Sequence, residues 1–219
     1  MLTFEYDKIR DMLDTGDILC CSGRGLASGV IKVGTYGPKP IFPFWRWRSS
    51  HTAGIVRWPV LAPPWDNQRV LVYESTTLNP KPDAITGRPI SGVQLHPMSE
   101  WLRDYPGSVA LRRLHVARTP QMLCAVQRHV QRNHGVHYEQ NPIEILYSAL
   151  DFRLMRWADN RPDTSSMFCS ELWGDLYNDM GLWNTLLAPN ELTPRDWAGE
   201  NLPLIPYADL GTRKLLHIT

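Results

Sequence analysis

The chain has 219 residues, of which 43% are apolar and 21% charged, and its formal net charge is +1. Those proportions are those of an ordinary globular protein and exclude a disordered or fibrous chain. The near-neutral balance gives no long-range pull toward nucleic acid or anionic membranes, and the length suits a single domain over residues 1–219.

Residues 3–13 space Phe4, Ile9, Met12 and Leu13 as a short amphipathic helix does, with Gly16 as a stop. Asp17 then opens a short apolar run, 18–21, read as a buried strand. Residues 22–37 are rich in glycine, with room for one or two helical turns over 26–33. Pro38, Pro40 and Pro43 break regular structure, and Phe44, Trp45 and Trp47 alternate with Arg46 and Arg48. Strands are expected over 51–57 and 69–74, paired antiparallel across a proline-rich connection. A polar loop leads to an extended stretch, 92–95, a short helix over 99–104 and a strand over 109–114.

Thr119 as N-cap and Pro120 at the first helical position open a helix through Asn133, which Gly135 ends. A second helix is expected over 142–157 and a third over 169–180, with Gly181 at its C′ position. The tail, 182–219, is rich in proline and tryptophan and is expected to wrap the surface.

Two of the four cysteines, Cys20 and Cys21, are adjacent, which suits neither a disulfide framework nor a structural zinc site. They are expected to pack in the first strand, and Cys124 on its helix. No signal-peptide pattern opens the sequence and no run has the length of a membrane span, so a cytoplasmic protein is expected.

Cys169 carries the chemistry. A thiol in the first turn of a helix has its pKa lowered by unpaired backbone N–H groups and the helix dipole, and those N–H groups can also hold a developing oxyanion. His51 shares a strand face with Ala53 and Ile55, so its ring points inward. If Arg57 and Arg69 mark the open end of the hairpin, paired residues sum to about 125 and Glu74 lies across from His51. A carboxylate beside an imidazole fixes its tautomer and raises its basicity.

Gly16-Asp17-Ile18-Leu19, the glycine-rich 22–37, Ser50-His51 with Gly54-Ile55-Val56, Tyr73-Glu74 and Phe168-Cys169-Ser170-Glu171-Leu172 with Tyr177 and Gly181 resemble, in that order, the circularly permuted NlpC-type papain-like hydrolases of the YiiX-like group. The resemblance spans about residues 16–181. It implies an α+β, papain-like fold, an antiparallel sheet or small barrel packed against the nucleophile helix. It also implies hydrolysis of an amide or ester through an acyl-enzyme, with Cys169, His51 and Glu74 as triad. In unpermuted relatives the cysteine comes first; here the order is His, Glu, Cys. Gly135-Val136-His137-Tyr138 resembles a glycine-tyrosine element of the superfamily, which makes Tyr138, with Ser170, a candidate contact to substrate or oxyanion.

The 38–48 insert departs from the family's short lead-in. Its Phe44, Trp45 and Trp47, with Trp58 and Trp65, suit a groove wall on the side where substrate arrives, a peripheral membrane contact or a protein interface. His129, His134 and His137 cross a helix end with no cysteine or paired carboxylate nearby, so no metal is expected, nor any cofactor. Arg112, Arg113, Arg118, Arg128 and Arg132 read as a solvated basic face, not a nucleic-acid site. The expected substrate is a small molecule, peptide, cell-wall fragment or lipid-linked molecule. The alternatives are a thiol acyltransferase and a non-catalytic module of a viral or phage particle; oligomeric state is open.

Overall fold

The computed structural model describes residues 3–24, 28–29, 31–32, 48–57, 70–76, 81–137, 168–184, 192–199 and 202–217. The expected helix over 142–157, Tyr138, Phe44, Trp45, Trp47, Trp58 and Trp65 lie outside these residues. Among them runs a seven-stranded sheet made of β1 (Thr3–Glu5), β2 (Ile18–Gly23), β3 (His51–Arg57), β4 (Val70–Thr76), β5 (Gly92–Pro97), β6 (Gly107–Arg112) and β9 (Lys214–His217). The spatial order is β1-β9-β6-β2-β3-β4-β5, and every pairing is antiparallel except β1 with β9. Two short strands, β7 (Leu114–His115) and β8 (Asp209–Leu210), pair beside it. The fold is α+β with a mostly antiparallel sheet.

The strands read as unbroken apolar runs because both sheet faces are covered. One face, with Ile18, Cys20, Val56, Leu71, Tyr73 and Leu95, packs against helices α3 (Pro120–Asn133), α4 (Cys169–Asp179) and α5 (Pro194–Ala198). The other, with Leu19, Cys21, Ala53, Ile55, Val72 and Leu111, packs against α1 (Tyr6–Ile9) and α2 (Met98–Asp104). No helix among the described residues is long and apolar enough to cross a membrane.

Helix α3 begins as its cap residues dictate: the Thr119 hydroxyl accepts from Met122 N–H, and Pro120 fills the first helical position. Gly181 follows α4 with φ +70°, the left-handed C′ residue of a helix stop. Gly54 matters for packing. A Cβ there would stand 2.3 Å from Cζ2 of Trp173 and 2.7 Å from the Asp17 carbonyl, so the bare backbone is what lets α4 seat on β3. Trp173 is then fixed by its indole N–H, which donates to the Tyr73 carbonyl at 3.1 Å.

Four expectations need correction. Residues 3–13 are not one helix: Thr3–Glu5 form β1, because Phe4 pairs with Leu216, and only Tyr6–Ile9 and the 3-10 turn Arg10–Met12 are helical. The tail does not merely wrap the surface, since it supplies β9 between β1 and β6 and the fully buried Trp197 of α5. The basic segment is not one solvated face. Arg112 is buried and donates to the carbonyls of Trp197, Gly199, Leu210 and Gly211, while Arg118 donates to Thr15 and Leu114 carbonyls and pairs with the buried Asp17. Cys20 and Cys21 are buried, but Cys124 is exposed on α3 rather than packed.

Candidate active site

His51 is the first residue of β3, and Glu74 lies near the end of β4. The observed register pairs Gly54 with Tyr73 and Ile55 with Val72, a sum of 127 rather than the expected 125. A two-residue slip keeps every side chain on its face, so Glu74 meets His51 diagonally instead of directly across. The contact survives: Nε2 of His51 is 2.7 Å from Oε2 of Glu74. The other carboxylate oxygen, Oε1, accepts the indole N–H of Trp101 at 2.7 Å. Trp101 projects from α2, and its ring lies 4.8 Å from that of Tyr105. Sequence reasoning missed Trp101; nothing in a short helix marks one tryptophan as a carboxylate anchor.

Cys169 opens α4, buried, after the extended residue Phe168. The Glu171 carboxylate accepts the Phe168 N–H, which closes the first turn from one side. The charges of the His51 ring and the Cys169 sulfur act on each other at close range, and backbone N–H groups of Thr52 and Ser170 bear on the sulfur. With Nε2 on Glu74, Nδ1 is the ring nitrogen left for the thiol. The structure thus brings together Cys169, His51, Glu74 and Ser170 of the expected set. Ser170 contributes backbone: its N–H faces the sulfur and its carbonyl accepts from Trp197.

Burial alone would push the Cys169 thiol up; the charge and hydrogen bond of His51, with the two backbone N–H groups, bring it below its ordinary value. For His51, burial works toward the neutral ring, but the Cys169 thiolate and the Glu74 carboxylate outweigh it and raise the imidazolium to about 10. Burial would likewise raise Glu74, and its bonds to His51 and Trp101 hold it low. These shifts favour a charged pair of Cys169 and His51 with the Glu74 carboxylate at Nε2. Cys21, cross-strand partner of His51, differs: burial keeps its thiol well above the usual range, so a second sulfur beside the site stays protonated.

The pair sets a pH window. The thiolate forms below the ordinary thiol range, and the imidazolium persists to about 10. Alkylation of Cys169 by iodoacetamide should therefore begin below the ordinary thiol range and stay on a plateau above pH 10, because the thiolate remains when His51 loses its proton. Mass-spectrometric alkylation rates for Cys169 across pH 5–11 check this; labelling that begins only in the ordinary thiol range would refute it.

Glu74→Gln tests the carboxylate. Without its charge the imidazolium, and with it the thiolate, is less favoured, so iodoacetamide labelling of Cys169 should begin at higher pH than in the unaltered protein.

The three clustered histidines do not converge. His129 is buried against Asp179, His134 pairs with Asp83 at 3.0 Å, and His137 is exposed. Asp17 is a structural residue, since its carboxylate accepts from the backbone N–H groups of Asp14 and Leu114 and pairs with Arg118.

Fold and site together define an α+β protein with a buried cysteine–histidine–glutamate cluster at a helix N-terminus. No family model matches the chain, and no curated protein is similar to it. Among solved structures it is similar to the metalloprotein yiiX from Escherichia coli, with a TM-score of 0.48 and 16% identity, over 94% of this chain and 98% of that one.

Proposed function

We propose that this chain is a papain-like cysteine hydrolase that cleaves an amide or ester bond through an acyl-enzyme. The observation that supports this most is one ring, His51, hydrogen-bonded to a carboxylate at Nε2 and close enough to a thiol at the head of a helix for their charges to act on each other. A core histidine kept for packing needs one partner; this one has the nucleophile on one side and an orienting group on the other.

In the proposed reaction the Cys169 thiolate attacks the substrate carbonyl carbon, and the C=O electron pair moves onto oxygen. The backbone N–H of Cys169, in the first turn of α4, receives that oxyanion. The His51 imidazolium passes its proton to the leaving amine or alcohol as the C–N or C–O bond breaks, leaving a thioester. Neutral His51 then takes a proton from water, whose oxygen attacks the thioester, and the thiolate departs as a carboxylic acid is released. Glu74 keeps the ring aimed throughout. An acyltransferase would differ only in the acceptor that replaces water.

The circularly permuted order, His before Glu before Cys, belongs to this reading, as do a peptide, cell-wall fragment or lipid-linked molecule as substrate. Activity-based thiol probes followed by peptidoglycan fragments, peptides and acyl esters test it. Labelling confined to Cys169, with turnover of one substrate class and a trapped thioester on Cys169, is the expected result. Four equally sluggish thiols and no turnover would leave the protein a non-catalytic module.

A further inference from the structure

Helix α4 carries a second cluster, beyond Cys169. Asp175 and Asp179 project from it one turn apart toward His129 of α3, which is fully buried. Nδ1 of His129 is 3.0 Å from Oδ2 of Asp179 and 3.5 Å from Oδ2 of Asp175, and one ligand atom from each of the three residues fits within 4.8 Å of the others. Nη2 of Arg132 stands where they converge, 3.0 Å from Asp175, 2.8 Å from Asp179 and 3.4 Å from His129 Nδ1. The Arg132 side chain is 53% exposed, so its guanidinium can turn out to solvent without opening the core.

A separate observation points to a ligand. Tyr73 of β4 is fully buried, and its hydroxyl has no hydrogen-bond partner among the described residues. Its ring meets that of His129 edge-on at 5.9 Å. Asp175, Arg132 and Asp179 are charged groups that bear on its hydroxyl, so it lies by the same cluster. A phenol hydroxyl can donate a hydrogen bond.

We propose that His129, Asp175 and Asp179 form a binding site for a divalent transition-metal ion of the zinc type, with Tyr73 donating to a water on the metal's fourth position. Arg132 is the resident cation of the metal-free protein. One imidazole and two carboxylates are a zinc ligand set, whereas magnesium and calcium prefer oxygen throughout. Ligands at about 2.1 Å on a tetrahedron lie about 3.4 Å apart, and the two donor separations measured from His129 bracket that value. The dication balances both carboxylates, which one guanidinium does not. It also ties α3 to the helix that begins with Cys169. The site is independent of the thiol chemistry.

The test uses full-length protein stripped by chelator, titrated with zinc chloride by calorimetry and with cobalt chloride by absorption. One equivalent should bind, with a tetrahedral cobalt spectrum free of sulfur charge transfer. Asp175→Asn with Asp179→Asn should weaken binding about 100-fold. Arg132→Ala, which removes the competing cation, should tighten it about tenfold. Tyr73→Phe should weaken it about fivefold.

No saturable equivalent in either wild type or Arg132→Ala overturns the proposal. So does affinity indifferent to the double aspartate change, or a sulfur-to-cobalt band that vanishes in Cys169→Ala. Should the double variant fail to fold, Arg132→Ala decides alone, and unchanged or weaker affinity overturns the proposal.

Discussion

If the chain is the proposed hydrolase, His51→Ala should lower its Cys169-dependent turnover at pH 7 by about three to four orders of magnitude. Burial disfavours a charged sulfur, and the imidazolium is the main compensating charge. With the ring gone the thiol stays protonated at neutral pH, and the group proposed to protonate the leaving atom is lost with it. Iodoacetamide labelling of Cys169 should fall in parallel, which separates loss of the thiolate from loss of substrate binding. Because Glu74 is left buried with its charge less well matched, stability should also drop, so His51→Gln serves as the folded control. Hydrolysis surviving within about tenfold of wild type in both variants would remove His51 from the mechanism.

The largest expected loss of stability follows from Arg112. It is buried, and its guanidinium donates to four carbonyls of the tail: Gly211 through Nε, Trp197 and Gly199 through Nη1, and Leu210 through Nη2. Arg112→Met keeps much of the volume but strands those carbonyls away from water. The cost should be about 3 kcal/mol or more, a fall in melting temperature of roughly 6–12 °C for a chain of this size. Arg112→Lys should not restore it, since one ammonium cannot fork to carbonyls on separate turns. Thermal unfolding by circular dichroism reads both. A shift below about 2 °C would mean that the tail is held by its apolar contacts alone.

Much of this arrangement was legible where local rules govern. The Thr119-Pro120 start, the Gly181 stop and the strands around His51 and Glu74 follow from caps, left-handed glycine and apolar runs. The His51–Glu74 contact was legible although the register was off by two, because an even slip preserves facing. Tertiary partners decided the rest. Thr3–Glu5 has helix-compatible spacing, yet it becomes a strand because Lys214–His217 offers it an edge more than 200 residues away in sequence. Trp101 behind Glu74, Arg112 under the tail and the aspartates beside His129 answer to neighbours that no local window contains. Cys21 shows the converse: sequence treats it like any strand cysteine, and only the cross-strand pairing sets it beside the catalytic candidates.

Strand β9 lies between β1 and β6, yet among the described strands it leaves the ribosome last. Until residues 214–217 emerge, the nascent sheet ends at β6 with a bare row of N–H and C=O groups, and Thr3–Glu5 has nothing to pair with. A message cut short before that point would yield a polypeptide already holding the residues of the thiol site but carrying an adhesive margin, the usual starting point for edge-to-edge clumping. Emergence of residues 214–217, rather than assembly of the reactive groups, is what closes this margin of the sheet.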